Sequence, residues 1–205
     1  MKEKKTLGVL VFPDFESLDV YGPVEMFGNC ASIEIRMLAE SREPVASSQG
    51  PKTGIDHRLD ACPDLDWLLV PGGIGTRREV NNAALISWIR DRVPKLELVL
   101  SVCTGAALLA QAGVLNGHSA TTNKRAFSWV ASLGPQVNWV HQARWVEDGR
   151  FFSSSGVSAG MDMAVAVIKR FWGDAESTRI SRWAEYEPRE DPSYDPFAAL
   201  YPLEK

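Results

Sequence analysis

The sequence is poor in the residues that hold a small protein together covalently or through a metal. It has three cysteines and three histidines among 205 residues. Cys30, Cys62 and Cys103 are odd in number, far apart and in no CxxC or Cys/His spacing, which argues against both a disulfide framework and a zinc site. Long hydrophobic runs are missing too: no stretch approaches the ~20 apolar residues that cross a bilayer. The apolar run from Leu7 to Phe12, behind the charged Met1 to Lys5, is too short for a secretion signal and is broken by Pro13. The expectation is a soluble protein of a reducing compartment, most simply cytoplasm. There is no excess of positive charge, with 22 Lys+Arg against 26 Asp+Glu and a net charge of −4. Without a field to attract a polyanion, neither nucleic acid nor an anionic membrane is expected as a partner. Small molecules and proteins remain, with no metal and no cofactor called for.

What is present suits one globular domain over residues 1–205, with no internal repeat or linker to divide it. The chain is 45% hydrophobic, and at this length it can bury roughly 70% of its unfolded surface without a covalent staple. Short apolar runs alternate with helical patterns. Thr6 to Phe12, Ser32 to Leu38, Trp67 to Val70 and Leu96 to Val102 read as strands, the last apolar on both faces as in a covered parallel strand. Glu16 to Phe27 reads as a helix that Pro23 kinks or begins. Leu85, Trp88, Ile89 and Val93 repeat at helical spacing, and Thr104 to Ala112 is a helix closed by Gly113. Val137 to Val146 and Arg150 to Ser155 flank the hairpin signal Asp148-Gly149. Val157 to Trp172 carries one apolar helical stripe, with Asp162 as a favourable charge near its start. A last helix is expected to start with Asp174 as N-cap and run to about Tyr186. Residues 187–205, rich in proline with aromatics between, read as a docking tail that covers its own subunit or a dimer contact. The alternation implies an α/β sandwich with a mostly parallel central sheet.

The chemistry concentrates in Leu100-Ser101-Val102-Cys103-Thr104-Gly105-Ala106. A buried strand that stops on Cys103 and turns at once into a helix puts the thiol on a nucleophile elbow at the carboxyl edge of the sheet, where open α/β folds bind ligands. N–H groups and the dipole of the helix start favour thiolate, so the pKa of Cys103 is expected below the ordinary ~8.5. Taken without that context, a free cysteine is a small buried hydrophobe, and this is the reading for Cys30 and Cys62. Of the seven tryptophans, most should be core; Trp139, and Arg144 with Trp145, are candidates to wall a pocket.

Five separated motifs, SVCTGAALLAQAGVLNG around Cys103, Pro71-Gly72-Gly73, LDVYGPVEMF from Leu18, ATTN from Ala120 and SSGVSAGMDMA from Ser154, resemble the ThiJ/PfpI superfamily of class I glutamine amidotransferase-like proteins. The match covers residues 6–185, leaving the tail outside. It implies a flavodoxin-like three-layer sandwich and most resembles the isonitrile hydratase-like branch and the amidase-like domains of AraC-type regulators. The resemblance implies that Asp19 lies against the sulfur of Cys103 as general acid or base; taken alone it reads equally as a helix-start residue. It also implies that Gly73, next to Gly72, offers an oxyanion N–H together with the one after Cys103. Thr104 is a candidate to hold water or substrate with its hydroxyl. One departure bears on mechanism: many members carry His after the paired threonines, whereas Thr121-Thr122 here precede Asn123 and Lys124, and Asn takes no proton at neutral pH. His57, His118 and His141 have no spacing that ties them to Cys103. A Cys-His dyad of the protease type is thus unavailable there.

The resemblance then implies a cysteine-dependent hydratase, formally a hydro-lyase, that adds water to a small electrophile such as an isocyanide to give an N-substituted formamide. The other readings are a redox or electrophile sensor, a glyoxalase or deglycase-like enzyme, and a stand-alone ligand-binding domain of the regulator type. Family members commonly form homodimers, so one is expected here.

Overall fold

The computed structural model describes residues 4–203; Met1 to Glu3 of the charged amino end, and Glu204 and Lys205 of the tail, lie outside the described residues. In chain order the elements are β1 (Lys5–Leu10), α1 (Ser17–Gly28), β2 (Ile33–Ala39), β3 (Val45–Ala46), β4 (Lys52–Thr53), β5 (His57–Arg58) and β6 (Trp67–Val70). There follow α2 (Thr76–Glu79), α3 (Ala83–Arg92), β7 (Leu98–Val102), α4 (Gly105–Gln111), β8 (Ser119–Ala120), α5 (Phe127–Leu133) and β9 (Asn138–Trp139). The last are β10 (Trp145–Asp148), β11 (Phe151–Ser154), α6 (Ala159–Trp172) and α7 (Asp174–Trp183).

Seven strands form one sheet in the order β10-β11-β7-β6-β1-β2-β5. All neighbours run parallel except the β10–β11 hairpin. The middle strands are apolar on both faces because both are covered: Leu7, Val9, Leu68, Leu69, Val99 and Leu100 are all 0% exposed. One group of helices, α1, α6 and α7, packs on one side, and α2, α3, α4 and α5 form the other group. This is the expected sandwich of three layers. Trp67 anchors one face, fully buried among Phe27, Phe171 and Trp172. The parallel direction matters most for chemistry. It brings the segments that leave β1, β6, β7 and β11, which hold Asp19, Gly72, Cys103 and Val157, to one edge of the sheet.

Three local expectations need correction. Val137 to Val146 is not one hairpin arm: Asn138–Trp139 pairs in parallel with Ser119–Ala120, and the antiparallel arm begins only at Trp145. The backbone of Arg144 instead donates to the tail at Pro192 O (2.7 Å), so the tail takes the place of a longer strand pairing. Asp174 is not the N-cap of the last helix. Gly173, with φ +90°, caps it, Asp174 is its first residue and pairs with Lys169 (2.7 Å), and the helix stops at Trp183 rather than near Tyr186. Pro23 lies inside α1 and not at its first turn. The turn signals at Gly113 (φ +76°) and Gly149 (φ +61°) fall where expected.

Candidate active site

Cys103 sits directly between β7 and α4 with φ +56°, the left-handed conformation that an L-residue enters at a cost of about 1–3 kcal/mol. Its own backbone explains how it is held there. The Cys103 N–H donates to the carbonyls of Ser154 (3.2 Å) and Ser155 (3.1 Å), at the end of β11. The Cys103 carbonyl accepts the Thr122 hydroxyl (2.7 Å). The residue as a whole is only 7% exposed.

Asp19, on the first turn of α1, is fully buried beside it. Its Oδ2 accepts the Gly72 N–H at 2.8 Å. Its Oδ1 has no hydrogen-bond partner meeting ordinary geometry, although the Cys103 thiol is close enough to act on the carboxyl as a donor. Glycine at position 72 is required by space. A Cβ there would lie 2.5 Å from Thr104 N, 2.6 Å from Thr104 Oγ1 and 2.9 Å from Asp19 Oδ2. Gly73 adopts φ +122° and donates its N–H to Thr104 Oγ1 (3.1 Å), which also accepts from the Thr76 hydroxyl (3.0 Å). Both glycine amides and the Thr104 hydroxyl thus have partners within the protein. The residues expected at the site are brought together, but these groups hold the carboxyl and the loop in place.

Burial controls the ionisation of the pair. It pushes the Asp19 carboxyl up to about 8, against the downward pull of the Gly72 N–H. Burial also pushes the Cys103 thiol up, as does the neighbouring carboxylate; the backbone N–H groups of Thr104 and Val157 and the Thr104 hydroxyl pull it down. The expected low pKa of Cys103 is thereby overturned. The helix start contributes as anticipated, but desolvation of a thiol sealed under three loops is larger. At neutral pH the carboxyl keeps its proton, so the buried acid is a proton donor with one oxygen uncommitted.

The residues around the pair were not evident from spacing. Val157, with φ +42°, turns its N–H toward the sulfur. Asn123 caps the turn Lys124–Ala126 by accepting the Ala126 N–H (3.2 Å). Lys124 is buried: its Nζ donates to Thr121 Oγ1 (2.7 Å) and Thr122 O (3.2 Å) and pairs with Asp195 of the tail (3.4 Å). Desolvation lowers the Lys124 pKa to about 8, with Asp195 opposing. Asp162 is more than a helix-start charge: Arg144 Nε (2.7 Å), the Tyr186 hydroxyl (2.5 Å) and Arg189 N–H (2.9 Å) all donate to it, tying the tail to α6. In the sequence Lys124 simply follows Thr-Thr-Asn and Asp195 is one of two Asp among the tail aromatics, so neither residue signals these links. Trp145 does line a cavity, of about 530 Å³, between α6, α7 and the tail and away from Cys103. His118 pairs with Asp148 (3.4 Å) and His141 with Tyr201 O (3.0 Å); neither they nor His57 bond to Cys103 among the described residues. Cys30 is core and Cys62 half-buried.

Among the described residues no helix is long and apolar enough to cross a membrane. Nor does any group of three His, Cys, Asp or Glu side chains there form a metal site. Comparison with known proteins agrees with the architecture. The model of the DJ-1/PfpI family matches residues 5–170. The isonitrile hydratase of Pseudomonas putida is 30% identical over 182 residues, 89% of this chain and 78% of its own length. A helix-turn-helix transcriptional regulator of Pseudomonas aeruginosa is 26% identical over 91% of this chain, which spans only 52% of the regulator. A crystal structure of a ThiJ/PfpI family protein from Pseudomonas syringae superposes with a TM-score of 0.84 at 29% identity, over 94% of this chain and 78% of that one.

Proposed function

Since the chain belongs to the DJ-1/PfpI family, we propose that it is a cysteine-dependent hydratase of isocyanides, with Cys103 as nucleophile and Asp19 as the proton carrier. One observation carries this reading: a buried carboxyl, protonated at neutral pH and with Oδ1 uncommitted, stands against the thiol of a left-handed elbow. Isocyanide hydration needs these two groups. The terminal carbon of R–N≡C must receive a nucleophile and a proton on the same atom. Asp19 delivers its proton to that carbon and takes the Cys103 thiol proton in return as sulfur bonds to it, giving the thioimidate R–N=CH–S–Cys103 with Asp19 protonated again. Water then attacks the same carbon while Asp19 gives its proton to nitrogen and takes one from the water. Collapse of the tetrahedral adduct breaks the C–S bond; Asp19 takes the hydroxyl proton and gives its own to sulfur, and R–NH–CHO leaves with thiol and acid restored. No net proton is gained or lost.

The committed amides favour this chemistry over amide hydrolysis. An isocyanide carbon bears no oxygen when sulfur attacks it, so the first step needs no oxyanion donor. Gly72 N–H serves by holding Asp19 Oδ2, and Val157 and Thr104 N–H serve the sulfur. A thiol pushed up by burial weighs against a peroxide sensor, which requires thiolate at neutral pH. The test is formamide production from alkyl and aryl isocyanides by the wild type and by Cys103→Ser. Turnover in the wild type that is lost in the Ser variant is expected. No turnover above buffer, or equal turnover in both, overturns the proposal.

A further inference from the structure

A cavity of about 270 Å³ opens beside the elbow. It is lined by Asn123, Lys124 and Arg125, by the loop 155–158, and by a wall of Phe197 and Tyr201 from the tail. Val157 connects it to the chemistry, because the residue that walls the cavity also turns its N–H to the Cys103 sulfur. The size is telling. It is nearly twice the ~150 Å³ that takes up a benzene ring and just under the ~300 Å³ at which pockets for drug-sized ligands begin, so it has room for a one- or two-ring group.

The tail is fixed over the cavity by a specific anchor. Asp195 and Lys124 form an ion pair with side chains 0% and 2% exposed. Asp195 Oδ1 accepts the Phe197 N–H (2.9 Å), setting the backbone from which the Phe197 ring projects. Asp195 O accepts from Gln142 (3.0 Å), and His141 bonds Tyr201 O (3.0 Å), which fixes the far end of the wall. Phe197 and Tyr201 nevertheless remain about half exposed. They are therefore positioned by bonds to the tail backbone and not by burial of the rings themselves. The lysine that anchors the tail also donates to Thr121 and Thr122, and Thr122 holds the Cys103 carbonyl. Wall, anchor and elbow form one connected unit.

We propose that this cavity receives the substituent of the electrophile that reacts with Cys103, and that Phe197 and Tyr201 of the tail set its size limit, favouring a one- or two-ring group over a larger fused-ring one. The proposal builds on Cys103 as the reacting atom, which belongs to the reading above, but it does not need that reading's hydratase chemistry. Phe197 and Tyr201 are specificity-determining residues, and Asp195 is a positioning residue that acts through them. Three variants separate these roles: Phe197→Ala and Tyr201→Ala enlarge the cavity, and Leu200→Ala changes a tail side chain that does not line it.

The experiment uses the full chain and two readouts. The first is the rate at which Cys103 is alkylated by iodoacetamide, N-benzyl iodoacetamide and N-(1-pyrenylmethyl) iodoacetamide, followed by intact mass and located by peptide mapping. The second is formamide formation from benzyl and 1-pyrenyl isocyanide. The wild type should alkylate faster with the benzyl than with the pyrenyl probe. Phe197→Ala should raise the pyrenyl-to-benzyl ratio about tenfold, a factor within the range by which pockets sort hydrocarbon groups, and Tyr201→Ala should move it the same way. Leu200→Ala should leave the ratio within twofold. The same shift in the isocyanide ratio is expected if the hydratase reading holds. A ratio unmoved in both Phe197→Ala and Tyr201→Ala, or moved equally by Leu200→Ala, overturns the cavity assignment. Absence of formamide with an intact shift in alkylation ratio overturns only the hydratase.

Discussion

Replacing Asp19 with Asn should make the protein more stable at neutral pH and remove much of the pH dependence of its stability. The sign follows from the direction of the shift. Folding raises the Asp19 pKa from 3.8 to about 8, so between those values the folded chain binds a proton that the unfolded chain has released. The contribution of Asp19 is most favourable below pH 3.8 and is lost as pH rises toward 8. Each pH unit in that window is worth about 1.4 kcal/mol. Between pH 5 and 8 the wild type should lose about 4 kcal/mol from this residue alone. Asn is uncharged at every pH and can keep the Gly72 N–H bond through its Oδ1, so the variant should lose none of it. The assay is urea unfolding of both proteins at half-unit steps from pH 5 to 8. For an m-value of about 2 kcal/mol/M, the midpoint difference should widen by about 2 M across the series, with Asp19→Asn the more stable at pH 8. Other titrating groups cancel in the difference. Parallel midpoint curves would refute the argument, because they would mean that the carboxyl is ionised and solvated in the folded protein.

Two further outcomes follow from the same structure. The iodoacetamide reaction of Cys103 should titrate above the ordinary thiol midpoint, near 8.5, and Asp19→Asn should bring that midpoint down by removing the carboxylate that opposes thiolate; a midpoint below 7 in the wild type would contradict the role given to burial. Lys124→Met should destabilise the protein by about 3–5 kcal/mol, since it leaves the Asp195 charge buried without a partner. Adding Asp195→Asn should recover most of this loss in a double-mutant cycle measured by denaturant unfolding, and additive losses would argue against coupling.

The sheet was legible where burial on both faces imposes a pattern: Trp67 to Val70 is a continuous apolar run, Leu98 to Val102 is one broken only by Ser101, and both are central strands. The edge was not. His57–Arg58 pairs for only two residues beside β2, and so short a strand carries no periodicity to read. The juxtaposition of Cys103, Asp19 and Gly72 was implied by a resemblance in motifs, and local pattern alone left Asp19 an ordinary helix-start residue. What pattern could not convey was the balance of energies. The helix start below Cys103 was visible in the sequence, but the cost of desolvating the thiol depends on loops from β1, β6 and β11 closing over it. Asp195 was hidden for a similar reason: one acid in a proline-rich tail looks solvated until a buried lysine distant in sequence is seen facing it.

The Lys124–Asp195 link also bears on the order in which the molecule is completed. Asp195 leaves the ribosome after every strand of the sheet, so the nascent body must wait with a lysine ready for burial and no counter-charge to bury it with. Until the tail docks, Lys124 holds Thr121 and Thr122 without its counter-charge, and the elbow rests on the bonds of Cys103 to Ser154, Ser155 and Thr122 alone. Chains trimmed upstream of Asp195 by a protease should therefore keep their strands while holding the thiol less firmly. A break at the periphery of the sequence would act as a defect at its centre.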